Sequence, residues 1–412
     1  MSEIYVVGVG MTRFGKHLQL SVKDLARQVV DAALADAGCK IDTIDAAFFA
    51  NAGQAALEGQ FMIPGQIALR ALGFNEIPIV NVENACASAS TAFYLASSQL
   101  KAGDCDVALV VGVEKMYSAD REKNFAVFNG AWDVHDVEGT IRNLSHLAGK
   151  PDDFIAQPSG PVTSSIFMEI YAALASQHMR RFGTTERQIA AVAAKNHRHS
   201  TLNPLAQYRN DMSIEEVLAA RRVVGPLTVP MCSPISDGAA AAILCRKDML
   251  KRFDSKRAIK VFASVLASGS RRDADDHQKH ICHRAAIKAY DRAGLGPKEM
   301  SFAEVHDATS IGEVIQSENL GFCDFGDGGA MAERGETTLG GRLPINPSGG
   351  LVSKGHPIGA TGLGQIFELV TQLRHEAGTR QVSNARFGIA ENGGGFLGYE
   401  EAAACITILG SA

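Results

Sequence analysis

The chain of 412 residues has no C-x-x-C pair, and its eight cysteines, at positions 39, 86, 105, 232, 245, 282, 323 and 405, fall at irregular intervals. That scatter excludes zinc-ribbon spacing and a patterned disulfide framework, so no metal site is expected. A reducing, cytoplasmic setting is the expectation. Aromatic residues are few, 7%, with a single tryptophan. No apolar run approaches the ~20 residues of a membrane span, and the opening M-S-E-I-Y-V-V-G-V-G lacks the basic region and apolar length of a signal peptide. Membrane association is therefore not expected. Positive charge is not in excess: 40 Lys and Arg against 45 Asp and Glu leave a formal net charge of −5, which argues against a general nucleic-acid binder. Low-complexity tracts and flexible linkers are absent too, so the parts should pack closely.

What remains is an ordinary globular composition, 46% hydrophobic and 21% charged, in a chain long enough for two or three domains. Its organisation is a repeat. Residues 4–7 (I-Y-V-V) read as a buried strand, 21–37 as an amphipathic helix stopped by Gly38, and 46–50 (A-A-F-F-A) as a second strand. The order recurs at 259–263, 278–293 with a stop at Gly294, and 302–306. Placing Ala37-Gly38 on Ala293-Gly294 brings both pairs of strands into register, which predicts two related α/β halves with mixed or parallel sheets. Each half continues with a short strand (77–81; 343–346), a small-residue helix and another strand (107–112; 385–390). The expected division is 1–114 plus 231–255 for the first half, 115–230 for an inserted loop domain with helices near 167–182 and 186–199, and 256–412 for the second half. Residues 232–244 should return to the first half as a buried strand.

Ligands in α/β folds collect where strands end. One such place is N-V-E-N-A-C-A-S-A-S-T, where Cys86 precedes a helix whose free N–H groups and dipole favour thiolate over thiol. Others are His306 and Asp307 in E-V-H-D-A-T-S, His356 in S-K-G-H-P-I-G-A-T-G, and the run Glu391, Asn392, Gly393, Gly394, Gly395. Singly, each has a structural explanation: a buried small thiol, a core histidine, a loop-bracing aspartate, a glycine turn. Together, a helix-start cysteine, two histidines and glycine N–H groups able to form an oxyanion hole are the parts of cysteine acyl transfer.

These residues resemble the thiolases, most closely the sterol carrier protein type. The similar segments are N-A-C-A-S at Cys86, S-D-G-A-A-A at 236–241, H-D at 306–307, N-P-S-G-G-L-V-S-K-G-H-P-I-G-A-T-G at 346–362 and the loop-domain stretch 180–200, and they span essentially the whole chain. The resemblance implies a five-layer α/β/α/β/α fold, a homodimer or larger assembly, and coenzyme A thioesters as substrates, with no other cofactor. Cys86 would carry the acyl group and His356 would activate it. His306 would help hold the thioester oxygen, and the N–H groups of Cys86 and residues 393–395 would form an oxyanion hole.

The chain departs from the family at the second acid/base. The cysteine that follows H-D in sterol carrier protein thiolases is Ala308 here, and the one that precedes the glycines in the other branch is Glu391. Glu391 could take the role if burial raised its pKa. Alternatively, the Cys-His-His set matches β-ketoacyl synthases, in which loss of carbon dioxide makes the carbanion, or the chain is a non-catalytic scaffold. Arg180, Arg181, Lys195, Arg198 and His199 are candidates for the phosphates of coenzyme A. Phe125, Phe128, Trp132 and Phe154 could wall an acyl pocket. Thiolases lacking the usual acid/base set resemble this chain and work with a small zinc-ribbon/OB-fold subunit on bulky, branched or aromatic esters such as benzoylsuccinyl-CoA, which makes such a partner an expectation.

Overall fold

The computed structural model describes residues 3–149 and 165–411. Among the described residues eleven strands form: β1 Ile4–Met11, β2 Ala46–Ala50, β3 Ile79–Val82, β4 Val107–Glu114, β5 Arg222–Val224, β6 Leu227–Thr228, β7 Gly238–Arg246, β8 Ile259–Ser268, β9 Phe302–Glu304, β10 Phe387–Gly394 and β11 Ala403–Ser411. Nine of them make one sheet in the order β3-β2-β4-β7-β1-β8-β11-β10-β9.

The order exposes the repeat. The first half runs inward from its edge as β3, β2, β4, β7, β1, and the second as β9, β10, β11, β8, with Ile345 bridging to Ala303 where the first half has β3. Each half mixes parallel pairs (β2 with β3 and β4; β9 with β10) with an antiparallel inner part. The halves meet where β1 and β8 pair antiparallel, Ile4 opposite Val261 and Val6 opposite Ile259. The helices Val22–Ala37 and Ile281–Ala293 both end on a left-handed glycine, Gly38 and Gly294, each at φ 66° and ψ 32°. Only glycine takes that cap without strain, which is why the two stops align so cleanly in the sequence. The segment after Pro230 returns as β7, buried between β4 and β1.

Core packing defines the layers. Helices Ser88–Ala102 and Thr361–Leu373 lie between the halves, and Phe93, Leu100, Leu363 and Leu369 pack there with Phe48 of β2, Val110 of β4, Phe302 of β9 and Leu409 of β11. Helix Val22–Ala37 covers the outer face of the first half and helix Ile281–Ala293 that of the second. Burial of each large apolar side chain contributes roughly 1.5–3 kcal/mol, so the shared central layer is a main source of cohesion between the halves. The result is the α/β/α/β/α arrangement. The segment between β4 and β7 contributes helices Ile166–Phe182 and Glu186–Thr201 and the β5–β6 ribbon, and packs through Ile189, Val192 and Leu227 on Ile311 and Val314 of helix Ser310–Asn319. One expectation needs correction: the glycine run is not wholly a loop, because β10 continues through Gly394 and pairs with β11 to Ala403.

Candidate active site

Cys86 sits in a single 3-10 turn, Ala85–Ala87, ahead of helix Ser88–Ala102. Ala85 takes a left-handed φ of 49°, and Ser88 Oγ receives the Asn84 N–H at 2.8 Å while donating to Ala85 O at 2.6 Å, which ties the turn to the helix start. Gly394 of β10 presses on its back. A Cβ there would stand 2.2 Å from Asn84 O and 2.7 Å from Ala87 N, so no larger residue fits. Asn392 faces the same way, accepting from Ser90 Oγ at 2.7 Å. It fastens β10 to the helix rather than facing substrate.

The chain brings both histidines to this cysteine. Cys86 Sγ and ring nitrogens of His306 and His356 lie within 4.8 Å of one another, and the two Nε2 atoms are 3.5 Å apart. His356 Nδ1 is 2.7 Å from Thr361 Oγ1, whose hydroxyl donates to Pro357 O at 3.0 Å. Thr361 therefore accepts from Nδ1–H, and His356 keeps a free lone pair on Nε2, as a base for Cys86 requires. The His356 backbone N–H donates to Ser236 Oγ at 2.9 Å. The side of His306 away from this pair holds a buried Nδ1 with no partner among the described residues.

The charge state differs from the expectation of a resting thiolate. Burial, with the Glu114 carboxylate adding to it, pushes the Cys86 thiol up to about 12. Burial takes His306 down to about 4 and, with His306 and Lys354 nearby, holds His356 well below its ordinary value. One turn of helix dipole does not outweigh desolvation here. Shifts in these directions leave a neutral thiol beside a neutral imidazole.

These groups line a cavity of about 210 Å³ walled by Met116, Phe125, Phe128, Phe167 and Tyr171, with Gly395 and Ala308 on its surface. Trp132 is not among the lining residues, and Phe154 lies outside the described residues. Ala308 presents only a methyl group to the cavity. Asp307 is a brace: it accepts from Leu351 N at 2.6 Å and Asn196 Nδ2 at 2.8 Å, and Gly350, at φ 61°, leaves room for it.

Glu391 is fully buried but does not line the cavity. One oxygen accepts the His306 backbone N–H at 2.9 Å and the other the Cys282 thiol at 3.4 Å, while burial and nearby Glu401 push it up to about 8. It supports His306 from behind. Glu401, overlooked in the sequence, does line the cavity. Glu114, also overlooked, gathers the N–H groups of Ala52, Gly53 and Gly359 at 3.0 Å each, linking two loops around His356. Both close or precede strands, so the strand-end criterion used for His306 could have found them.

The coenzyme A candidates lie away from the cavity wall. None of Arg180, Arg181, Lys195 and Arg198 lines the cavity. Lys195 is buried, 2.6 Å from Glu313 and donating to Ile345 O; Arg180 donates to Leu147 O; Arg181 pairs with Asp275. His199 is held between Asn346 O and Leu339 N. Arg198 is exposed away from the cavity lining. Among the described residues, Arg221 is the Lys or Arg side chain that lines the cavity.

Among the described residues, two groups could offer a metal three donors: Cys86, His306 and His356, and His280, Cys282 and Glu401. The first is the cavity cluster described above. In the second, His280 Nδ1 accepts from Cys282 N and Asn319 Nδ2, each at 3.2 Å, so its proton is on Nε2, the nitrogen 3.4 Å from Glu401. That nitrogen has no lone pair to give a metal.

Residues 4–248 match the family described as thiolase, N-terminal domain, and 264–411 the thiolase C-terminal domain-like family. The chain is 38% identical to sterol carrier protein 2 of Gallus gallus over 398 residues, 94% of this chain and 69% of that protein. It is 36% identical to the acetyl-CoA acetyltransferase of Methanothermobacter thermautotrophicus over 400 residues, covering 96% and 97% of the two chains. With the benzoylsuccinyl-CoA thiolase subunit BbsB of Thauera aromatica it shares 33% over 383 residues, 92% and 91%. Among solved structures, the Ltp2-ChsH2(DUF35) aldolase superposes with a TM-score of 0.77 at 20% identity, over 99% of this chain and 98% of that one.

Proposed function

The chain belongs to the thiolase family, and on that footing we propose that it is an acyl-CoA C-acyltransferase that cleaves a 3-oxoacyl-CoA with coenzyme A, or runs the reverse condensation, through an acyl group carried on Cys86. The observation that carries this reading is the convergence of Cys86, His306 and His356 within 4.8 Å on the wall of one largely apolar cavity. Cys86 gives its proton to His356 Nε2 and attacks the 3-oxo carbon. His306 and backbone N–H groups beside Gly395 stabilise the oxyanion.

A cavity of about 150 Å³ holds benzene. The 210 Å³ here, with Phe125, Phe128 and Phe167 in its wall, therefore supports a bulky or aromatic acyl group, as in the name of the BbsB relative. BbsB is a subunit and the Ltp2 structure includes a DUF35 chain, which supports a small zinc-ribbon/OB-fold partner. A second copy of this chain suits the β3 edge of the sheet: β3 is an end strand, and Phe61 and Met62, both 75% exposed, precede the helix Pro64–Arg70 that Gln66 ties to Ile79 of β3. No helix among the described residues is long and apolar enough to cross a membrane.

The test is intact-mass spectrometry after brief exposure to acyl-CoA, with thiolysis of 3-oxoacyl-CoA esters followed in parallel. An acyl adduct on wild-type protein and none on Cys86→Ala is expected. Loss of carbon dioxide from malonyl-type thioesters would favour the synthase reading, and full turnover by Cys86→Ala would overturn both.

A further inference from the structure

The family's second acid/base is missing from both of its usual places, and Glu391 is turned away from the cavity. From the geometry we infer that Glu401 is the catalytic acid/base of carbon–carbon cleavage; the inference rests on the acyl-transfer reading above. Glu401 shares the cavity wall with Cys86, His306 and Gly395. Its carboxylate is fixed by two donors, Gln316 Nε2 at 2.9 Å and the protonated Nε2 of His280 at 3.4 Å. His280 is itself oriented by Cys282 N–H and Asn319. The glycine run makes the space: a Cβ on Gly393 would lie 2.6 Å from Glu401 Cγ. Consecutive residues of a strand face opposite ways, so Gly394 admits the Cys86 turn on one side of β10 and Gly393 admits Glu401 on the other.

The surrounding charges favour a proton on this pair of acids. Glu391 and Glu401 are linked by the Cys282 thiol, 3.4 Å from one and 3.9 Å from the other, and neighbouring buried carboxylates do not both ionise readily. Burial also raises Glu401, with Glu400 contributing, while Arg272 opposes the rise.

The proton count closes. Cys86 passes its proton to His356 and its sulfur adds to the 3-oxo carbon. The C2–C3 bond breaks with its electron pair going to C2, and Glu401 in its acid form protonates that carbon. The C1–C2 fragment leaves as its coenzyme A thioester, and C3 stays on Cys86 as the acyl group. Coenzyme A then gives its thiol proton to the Glu401 carboxylate and attacks the Cys86 thioester, and the released Cys86 sulfur recovers its proton from His356. Both residues return to their starting states.

The experiment compares wild type, Glu401→Gln, Glu401→Asp and Glu391→Gln, each with any co-purifying subunit left in place. Acylation of Cys86 by acetyl-CoA is read by intact mass, and thiolysis is read with acetoacetyl-CoA and 3-oxo-3-phenylpropanoyl-CoA. Glu401→Gln should still form the adduct, slowed far less than cleavage because the coenzyme A thiolate can leave without an acid, while cleavage should fall roughly 10²–10⁴-fold, the usual worth of a positioned acid or base. Glu401→Asp should recover part of the cleavage, and Glu391→Gln should slow both half-reactions together. Cleavage by Glu401→Gln within threefold of wild type, equal loss in both half-reactions, or separation of the two by Glu391→Gln instead would each overturn the assignment. No adduct on the wild-type chain with any of these esters would overturn the acyl-transfer reading on which it rests.

Discussion

His356 Nδ1 lies 2.7 Å from Thr361 Oγ1, at the start of helix Thr361–Leu373, and that hydroxyl is spent on Pro357 O. The pair determines which imidazole nitrogen is basic. Replacing Thr361 with Val leaves the bulk and removes the acceptor, so the tautomer with its proton on Nε2 becomes available and competes with catalysis. A hydrogen bond of this kind contributes about 1 kcal/mol net, so Cys86 acylation should slow about five- to tenfold in Thr361→Val and recover in Thr361→Ser. Rapid-mix mass spectrometry measures it; an unchanged rate would mean that packing alone orients the ring.

A thiol pushed up to about 12 makes a prediction about pH. Between pH 7 and 9 the thiolate fraction of Cys86 is small and grows tenfold per unit, so its alkylation by iodoacetamide should climb without a plateau. A plateau near neutrality would reveal a preformed thiolate–imidazolium pair. Because the folded value exceeds the unfolded one of about 8.5, the same group contributes stability below that pH and loses it as pH rises towards 12. His356→Ala should slow acylation more than His306→Ala, since only His356 has the fixed lone pair.

Much of this was legible in the sequence. The strands, the twin glycine stops and the position of Cys86 follow from local periodicity and from a cap that only Gly38 and Gly294 accept easily. The fate of charged side chains did not follow. Lys195 and Arg198 stand three apart on one helix, yet one is buried against Glu313 and the other is exposed, because the partner comes from a helix more than a hundred residues away. The roles of Glu391 and Glu401 depend likewise on the pairing of β10 with β11 and on where Cys282 falls, which local pattern does not encode.

Burial raises Glu391 to about 8, above the unfolded value near 4.3, so the folded state holds the extra proton between those limits. Its contribution to stability is complete below about pH 4.3 and declines as pH rises to 8. Glu391→Gln cannot ionise and should flatten that decline. Denaturation midpoints at pH 5 and pH 8 should differ less in the variant than in wild type; an identical difference would show that Glu391 does not titrate in this range.

Arg221 and Lys195 should separate binding from folding. Arg221 is exposed at the cavity, so Arg221→Ala should raise KM for coenzyme A severalfold with little change in kcat or stability. Lys195→Met leaves Glu313 buried without its cation and should cost about 3–5 kcal/mol in urea unfolding. If Lys195→Met folded normally and lost affinity for coenzyme A, the assignment of Lys195 to the interior would fail.

The two glycines of β10 offer the sharpest separation, because adjacent strand residues face opposite ways. Gly394→Ala would place a methyl 2.2 Å from Asn84 O, backbone that cannot swing aside, so the Cys86 turn must move. Gly393→Ala would meet Glu401 Cγ at 2.6 Å, a flexible side chain that can rotate away. Overpacking of this size costs roughly 1–3 kcal/mol, and the larger share should fall on Gly394→Ala, where backbone is displaced. The kinetic outcomes should diverge as well. Gly394→Ala should slow Cys86 acylation and cleavage alike, because the nucleophile itself is shifted. Gly393→Ala should lose carbon–carbon cleavage far more than acylation, since what it displaces is the carboxyl group that protonates the departing carbon. Equal kinetic loss in both variants would mean that the strand acts as one rigid support and that its two faces do not serve separate steps.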